Sequence, residues 1–312
     1  MRTNLHPNVQ LALGVILGVL VTATLVTHLI GRLRPAMDLG EIRSRLRSWW
    51  VIAGLFSLAL VLDRGWALFF FAWVSYLALK EYLSLIPTRR ADRRVLLWAY
   101  GAIPFQYLWI YLGWYGAFLV FVPVFLFLAI PMRMVLIGET AGFLRAAGTI
   151  HWGAMVTVFA IGHVAYLLVL PSSVNPNGAG SGLVLFLVVL TQLNDVAQFL
   201  WGKAVGRVRV MPTVSPNKTW GGLIGGIVTT VALALVCFRA LTPFTLREAV
   251  LAGIVISVFG FVGDVVISAV KRDLQVKDSG ALIPGHGGIL DRLDSLTYTA
   301  PLFFHFTVYL YP

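Results

Sequence analysis

Three polar stretches toward the C-terminal end carry the residues best suited to chemistry. They are NDVAQFLWGKAVGR (194–207), SPNKTWGG (215–222) and the long run GDVVISAVKRDLQVKDSGALIPGHGGILDRLDS (263–295). A carboxylate at membrane depth is costly and marks a functional position, so acidic residues are the useful tracer in a chain this apolar. Of the 13 acidic residues, Asp195, Asp264, Asp273, Asp278, Asp291 and Asp294 fall in these stretches. On a helix, Ser268 and Lys271 follow Asp264 along one face, and Ser295 follows Asp291 in the same way. Between the two groups lies Pro284-Gly285-His286-Gly287-Gly288, whose glycines permit close backbone approach to a ligand. Carboxylates from two helices suit a hard cation, Mg²⁺ rather than zinc. Lys271, Arg272 and Lys277 would balance phosphate charge. In SPNKTWGG, Ser215 and Thr219 offer hydroxyls, Lys218 a cation, and Gly221-Gly222 open a helix whose first amides suit an anion. The GxxxxGK[ST] spacing of a P-loop is absent, and a basic loop with a helix cap is the plainer alternative for that stretch.

The elements that must position these residues are membrane helices. Apolar residues make up 59% of the 312 and charged residues only 12%, half of what a soluble surface needs. Mean hydropathy is +0.86. Backbone polar groups in lipid must be satisfied within the segment, so a helical bundle is the expected all-α form. Apolar runs predict about ten transmembrane helices, near 9–31, 49–62, 66–84, 94–112, 115–131, 150–170, 181–201, 219–241, 247–270 and 291–311. Tight hairpins are expected at Asp63-Arg64-Gly65 and Gly113-Trp114. Residues 9–30 read as a retained helix rather than a signal peptide, because only Arg2 precedes them and no small-x-small cleavage site follows. The net charge of +11 is spread over alternate short loops, where topology rather than nucleic acid accounts for it. The positive-inside rule then sets both termini outside and the three polar stretches at the cytoplasmic face of what reads as a bacterial cytoplasmic membrane. Arg239 and Arg247 are the one weak exception.

Three regions follow from this pattern. Residues 1–48 form a transmembrane helix and a basic interfacial segment, 49–180 scaffold helices, and 181–312 the catalytic region with its motif loops. Within 38–50, Leu39, Ile42, Leu46 and Trp49 recur at helical spacing opposite arginines. That suits either a helix lying at the interface or a simple topological anchor. Cys237 is the single cysteine, so no disulfide forms within the chain. His151 and His163 on apolar helices read as bundle residues. Asp195 is left between a metal-linked role and a pair with Lys203.

The pattern S-x-x-K-R-x4-K-D-x5-P-G-H-G-G-x-x-D-R-x-D, from Ser268 to Asp294, resembles the signature of the phosphatidate cytidylyltransferase family, the CDP-diacylglycerol synthases. Ser215-Pro216-Asn217-Lys218-Thr219-Trp220 is similar to that family's S-P-x-K-T-W segment, and Asp195 to Gly206 to its D-x-x-A-Y-x-x-G-(K/R)-x-x-G segment. Close similarity covers about 190–301. Gly221 stands where the family usually has an acid, Phe199 where it often has tyrosine, and Gln198 where it has alanine. The resemblance implies transfer of CMP from CTP to phosphatidic acid, giving CDP-diacylglycerol and pyrophosphate for phospholipid biosynthesis. It implies a catalytic group of Asp264, Lys271, Asp278 and Asp291, with Mg²⁺ on Asp264, Asp291 and Asp294 and a second cation left open. Ser215, Asn217, Lys218, Thr219, Ser268, Arg272, Lys277, His286, Gly287, Gly288, Arg292 and Asp195 would bind substrate and phosphate. Arg292 has an ion pair to an aspartate as its alternative, and His286 suits loop structure or phosphate hydrogen bonding better than base catalysis. Expected partners are CTP, phosphatidic acid and membrane lipid, with no nucleic acid and a homodimer left open. The competing readings are CMP transfer to another lipid phosphate and an ion-coupled transporter. The transporter reading predicts internal repeats and midplane charges, and no repeat is visible.

Overall fold

The computed structural model describes residues 5–34, 38–89, 92–280 and 287–312. Pro284, Gly285 and His286 of the glycine-rich loop lie outside them. The helices are α1 (Pro7–Leu33), α2 (Gly40–Val61), α3 (Arg64–Leu85), α4 (Arg93–Tyr111), α5 (Tyr115–Val135), α6 (Phe143–Leu167) and α7 (Ala179–Val205). After a two-stranded antiparallel hairpin, β1 (Arg209–Met211) and β2 (Ser215–Thr219), come α8 (Trp220–Leu241), α9 (Leu246–Asp273), α10 (Leu290–Leu293) and α11 (Leu296–Leu310). The hairpin is a small departure from an all-α form.

Among the described residues, seven helices are long and apolar enough to cross a membrane: α1, α3, α5, α6, α7, α8 and α9. The predicted spans at 49–62, 94–112 and 291–311 are also helical, as α2, α4 and α10–α11, but do not meet that measure by themselves. The last falls in two pieces, α10 ending at Leu293 and α11 starting at Leu296, with Asp294 and Ser295 between them keeping helical backbone angles. The 38–50 segment is not a separate helix: α2 runs unbroken from Gly40 to Val61, across the 48/49 boundary.

Local chemistry fixes the ends. Asp63 caps α3 by accepting from the Gly65 amide at 2.8 Å, and Gly113 turns the α4–α5 hairpin at φ +68°. Thr245 and Glu248 form a reciprocal capping box on α9, with bonds of 2.7 and 3.4 Å, satisfying two orphan amides. Tyr311 donates to the same Glu248 at 2.6 Å and so ties down the end of α11. Lys271 and Arg272 lie in the last turn of α9, where positive charge is favoured.

α6 is the most enclosed of the spans and α1 the least. His163 on α6 is fully buried against Phe118, Phe159 and Phe304, as a bundle residue should be. Around α7 the packing turns polar. The Asn194 side-chain oxygen accepts from Ser257 Oγ (2.6 Å) and Thr230 Oγ1 (3.1 Å), while Thr191 and Thr299 hydroxyls meet at 3.3 Å. Interhelical hydrogen bonds of this kind hold helices where lipid supplies no hydrophobic drive. They lock α7, α8, α9 and α11 in rotation one residue before Asp195.

Gly263 sets the closest approach of α9 to the α10–α11 break. A methyl group there would lie 2.4 Å from the Asp294 carbonyl oxygen and 3.1 Å from Ser295 Cα. Gly263→Ala is therefore expected to cost about 1–3 kcal/mol through overpacking and to displace Asp294. Thermal unfolding in detergent checks the first effect, and turnover per folded molecule the second.

Candidate active site

Four elements carry the charged groups of the site. Asp195 comes from α7, Lys218 from β2, Asp264 from α9, and Asp294 from the break between α10 and α11. Lys218 Nζ lies 2.5 Å from Asp264 Oδ2 and donates to Gln198 Oε1 at 3.1 Å. Its charge also bears on Asp195 and Asp294. Burial alone would favour the neutral amine, but Asp264 first and Asp195 second outweigh it and hold the lysine above its ordinary value. Ser268, one turn on, donates to Asp264 at 3.2 Å, as their spacing predicts. Ser295 Oγ donates to both oxygens of Asp195 at 3.0–3.1 Å, and Ser295 N to Asp294 Oδ1 at 2.7 Å. Lys203 takes no part: its ammonium sits 4.4 Å over the Phe199 ring. The Asp195–Lys203 pair left open from sequence is thus replaced by Asp195–Ser295.

Asp291 has other company. Lys271 Nζ reaches its Oδ1 at 2.7 Å, and the Ser279 and Gly288 amides both donate to Oδ2 at 2.9 Å. Burial pushes this carboxyl up, but the Lys271 and backbone hydrogen bonds outweigh it and hold it below the usual carboxylate range. Asp294's strongest like-charge neighbours are Asp264 and Asp195. Among the described residues the ion pairs of the site are thus Lys218–Asp264 and the largely buried Lys271–Asp291, with Asp195 and Asp294 held by Ser295.

The remaining candidates surround these two groups. Arg272 is exposed and donates to the Val214 carbonyl at 3.4 Å. Asn217, Lys277 and Asp278 are exposed, and Ser215 is half-buried in β2. Thr219 caps α8 through its hydroxyl on the Gly222 amide (3.1 Å). Gly221 has a local reason to be glycine: a methyl group there would stand 3.0 Å from the Val205 carbonyl oxygen, where α8 starts against the end of α7. Arg292 has a buried Nε without a hydrogen-bond partner, and so has the Gln198 amide nitrogen. His286 lies outside the described residues, while Gly287 adopts φ +81°, a conformation glycine accepts readily.

One residue invisible to the motif reading enters from α3. Glu81 accepts from Ser279 Oγ, from Ile289 N at 2.9 Å and from Leu290 N at 3.0 Å.

Among the described residues, no three His, Cys, Asp or Glu side chains draw together closely enough to hold a metal ion. The donor chemistry itself suits Mg²⁺: Asp195, Asp264 and Asp294 offer hard oxygen ligands, and among the described residues Lys218 makes a direct ion pair only with Asp264. A cluster of acids, lysines and orphaned donor groups can neutralise and orient a phosphate-bearing substrate.

Known proteins bear on this site. A protein of Escherichia coli strain K12 called uncharacterized protein YnbB is 46% identical over 298 residues, covering 96% of this chain and 98% of its own length. The phosphatidate cytidylyltransferase of Staphylococcus aureus strain COL is 42% identical over 123 residues, covering 38% of this chain and 46% of that enzyme. That of Staphylococcus haemolyticus is 38% identical over 120 residues, again 38% of this chain and 46% of the enzyme. The chain thus spans under half the length of the named enzymes it matches. The model of the cytidylyltransferase family matches residues 43–310, from α2 to the end of α11. The helical membrane protein described above therefore belongs to the cytidylyltransferase family.

Proposed function

We propose that the chain transfers CMP from CTP to phosphatidate, forming CDP-diacylglycerol and releasing pyrophosphate. The observation that carries this reading is the half-buried Lys218–Asp264 pair, in which a lysine of β2 meets an acid of α9 and its charge also bears on Asp195 and Asp294. In the reaction a phosphatidate oxygen forms a bond to the α-phosphorus of CTP, and the bond from that phosphorus to the bridging oxygen of pyrophosphate breaks. The nucleophile is already ionised, so no strong base is needed. Such transfers depend on positioning and charge neutralisation. Lys218, Arg272 and Lys277 neutralise the triphosphate and the lipid headgroup, while Lys271 holds Asp291. The orphaned Arg292 Nε and Gln198 amide are further donors. Asp195, Asp264 and Asp294 would hold Mg²⁺, with Asp291 as the sequence-based alternative ligand. When bound, the ion would screen the phosphates from one another and from the attacking oxygen.

The membrane setting is part of the same reading. A ten-span topology with both termini outside brings the acid cluster to the cytoplasmic side of the bacterial membrane, where CTP is available. The basic loops support that orientation, and the bilayer presents the lipid acceptor beside the site. Binding of nucleic acid is not part of it, and self-association as a homodimer is compatible with it.

A lipid panel tests the acceptor. Purified protein in mixed micelles with Mg²⁺ and labelled CTP is expected to produce liponucleotide from phosphatidate and little from diacylglycerol, which lacks the attacking phosphate. A product from a different lipid phosphate, with none from phosphatidate, would overturn the assignment of the acceptor.

A further inference from the structure

We infer that Glu81, on the third helix, is a positioning residue for the transfer: it fixes the backbone at 288–290 and so aims Asp291 and Asp294. The inference rests on the reading that these aspartates serve CMP transfer. Glu81 lies far from the motif stretches in sequence, yet both its oxygens are spent on the segment that precedes them. Oε1 accepts from Ser279 Oγ and from Leu290 N, and Oε2 from Ile289 N. The preceding amide, Gly288 N, goes to Asp291 Oδ2. Three consecutive backbone donors are thus taken by two carboxylates, one from α3 and one from the site.

Sterics point the same way. A methyl group on Gly288 would fall 2.0 Å from Glu81 Oε1 and 2.5 Å from Ser279 Oγ, and one on Gly280 would fall 2.8 Å from Glu81 Oε2. The chain closes around the carboxylate from both sides. Among the described residues Glu81 forms no ion pair, although Lys80 is its neighbour in sequence. An anion that accepts from a serine hydroxyl and from the first amides of α10, with no counter-charge among the described residues, is a cap. Because α10 is a single turn holding Asp291, releasing that cap frees the rotation of Asp291 against Lys271 and the placement of Asp294 beyond it. α3 therefore ties the N-terminal half of the bundle to the site.

The test uses full-length protein in nanodiscs, with hydrogen exchange of the 287–293 backbone measured without nucleotide, and steady-state kinetics measured alongside. Glu81→Ala is expected to speed exchange at Ile289 and Leu290 by about tenfold or more. It should lower kcat by about 10–100-fold while moving the KM for CTP less than about threefold, the signature of misplaced groups rather than lost substrate contacts. Glu81→Gln keeps a carbonyl acceptor and should fall between. Unchanged exchange in Glu81→Ala, or faster exchange with unchanged kcat, would overturn the inference. If Glu81→Ala does not insert, Glu81→Gln combined with Ser279→Ala decides: the two share one hydrogen bond, so the double variant should lose less than the product of the singles, and fully multiplicative losses would refute the coupling. A wild-type protein that makes no liponucleotide, while exchange still responds to Glu81→Ala, would remove the CMP-transfer reading and leave the cap in place.

Discussion

Asp264→Asn is expected to reduce CMP transfer by about two to three orders of magnitude, the usual loss when one preorganised electrostatic group is removed from a reacting centre. The change preserves shape and removes charge. Asp264 is the acid directly paired with Lys218, at 2.5 Å, and it receives Ser268 at 3.2 Å. Without that charge, Lys218 keeps only neutral acceptors, Gln198 among them, and Asp195, Asp264 and Asp294 are reduced from three carboxylates to two. Membrane insertion should be unaffected, because the helix keeps its length and its apolar face. Initial rates with labelled CTP, normalised to folded protein, check the effect. Full activity would show that the acid cluster is structural.

Lys271→Met is expected to have the second-largest effect, because it strands Asp291. Both side chains of the pair are largely buried, 13% and 7% exposed, and removing one partner of such a pair costs about 3–5 kcal/mol. The Ser279 and Gly288 amides still hold one carboxylate oxygen, which places the loss toward the lower end. Denaturation midpoints of Lys271→Met, Asp291→Asn and the double variant should show strong coupling, and additive effects would mean that the pair contributes little. Acid gives an independent handle. Asp291 titrates below the usual carboxylate range in the folded protein, so its contribution is complete above the ordinary value of about 4. It is lost as pH falls through the depressed folded value. Lys271→Met should remove much of that acid sensitivity.

Much of the helical layout was legible in the sequence, because apolar runs and capping residues act locally. The span expected at 219–241 is α8, beginning where Thr219 caps it, and the one at 247–270 is α9 with its Thr245–Glu248 box. The Asp264–Ser268 contact follows from helical spacing alone. Contacts between elements were less legible. Lys271 lies on the expected face but turns to Asp291 rather than remaining free for phosphate. Lys218 finds Asp264 through a β-hairpin whose one advance sign was the short alternation Arg207-Val208-Arg209-Val210, at a period of two. Asp291 and Asp294 take different partners: Asp291 meets Lys271 and the Ser279 and Gly288 amides, while Asp294 lies where Gly263 admits its backbone against α9. Glu81 gave no signal of its own, since Lys80-Glu81 at the end of an apolar helix reads as an ordinary boundary charge.

The most direct test of the account follows two labels on one nucleotide. CTP carrying one label at the α-phosphorus and another at the γ-phosphorus is given to the purified protein with Mg²⁺ and phosphatidate, and lipid and aqueous phases are separated. CMP transfer puts the α-label in the lipid phase as CDP-diacylglycerol, and the γ-label in water as an equal amount of pyrophosphate. No α-label in lipid, or γ-label transferred to lipid instead, would contradict it.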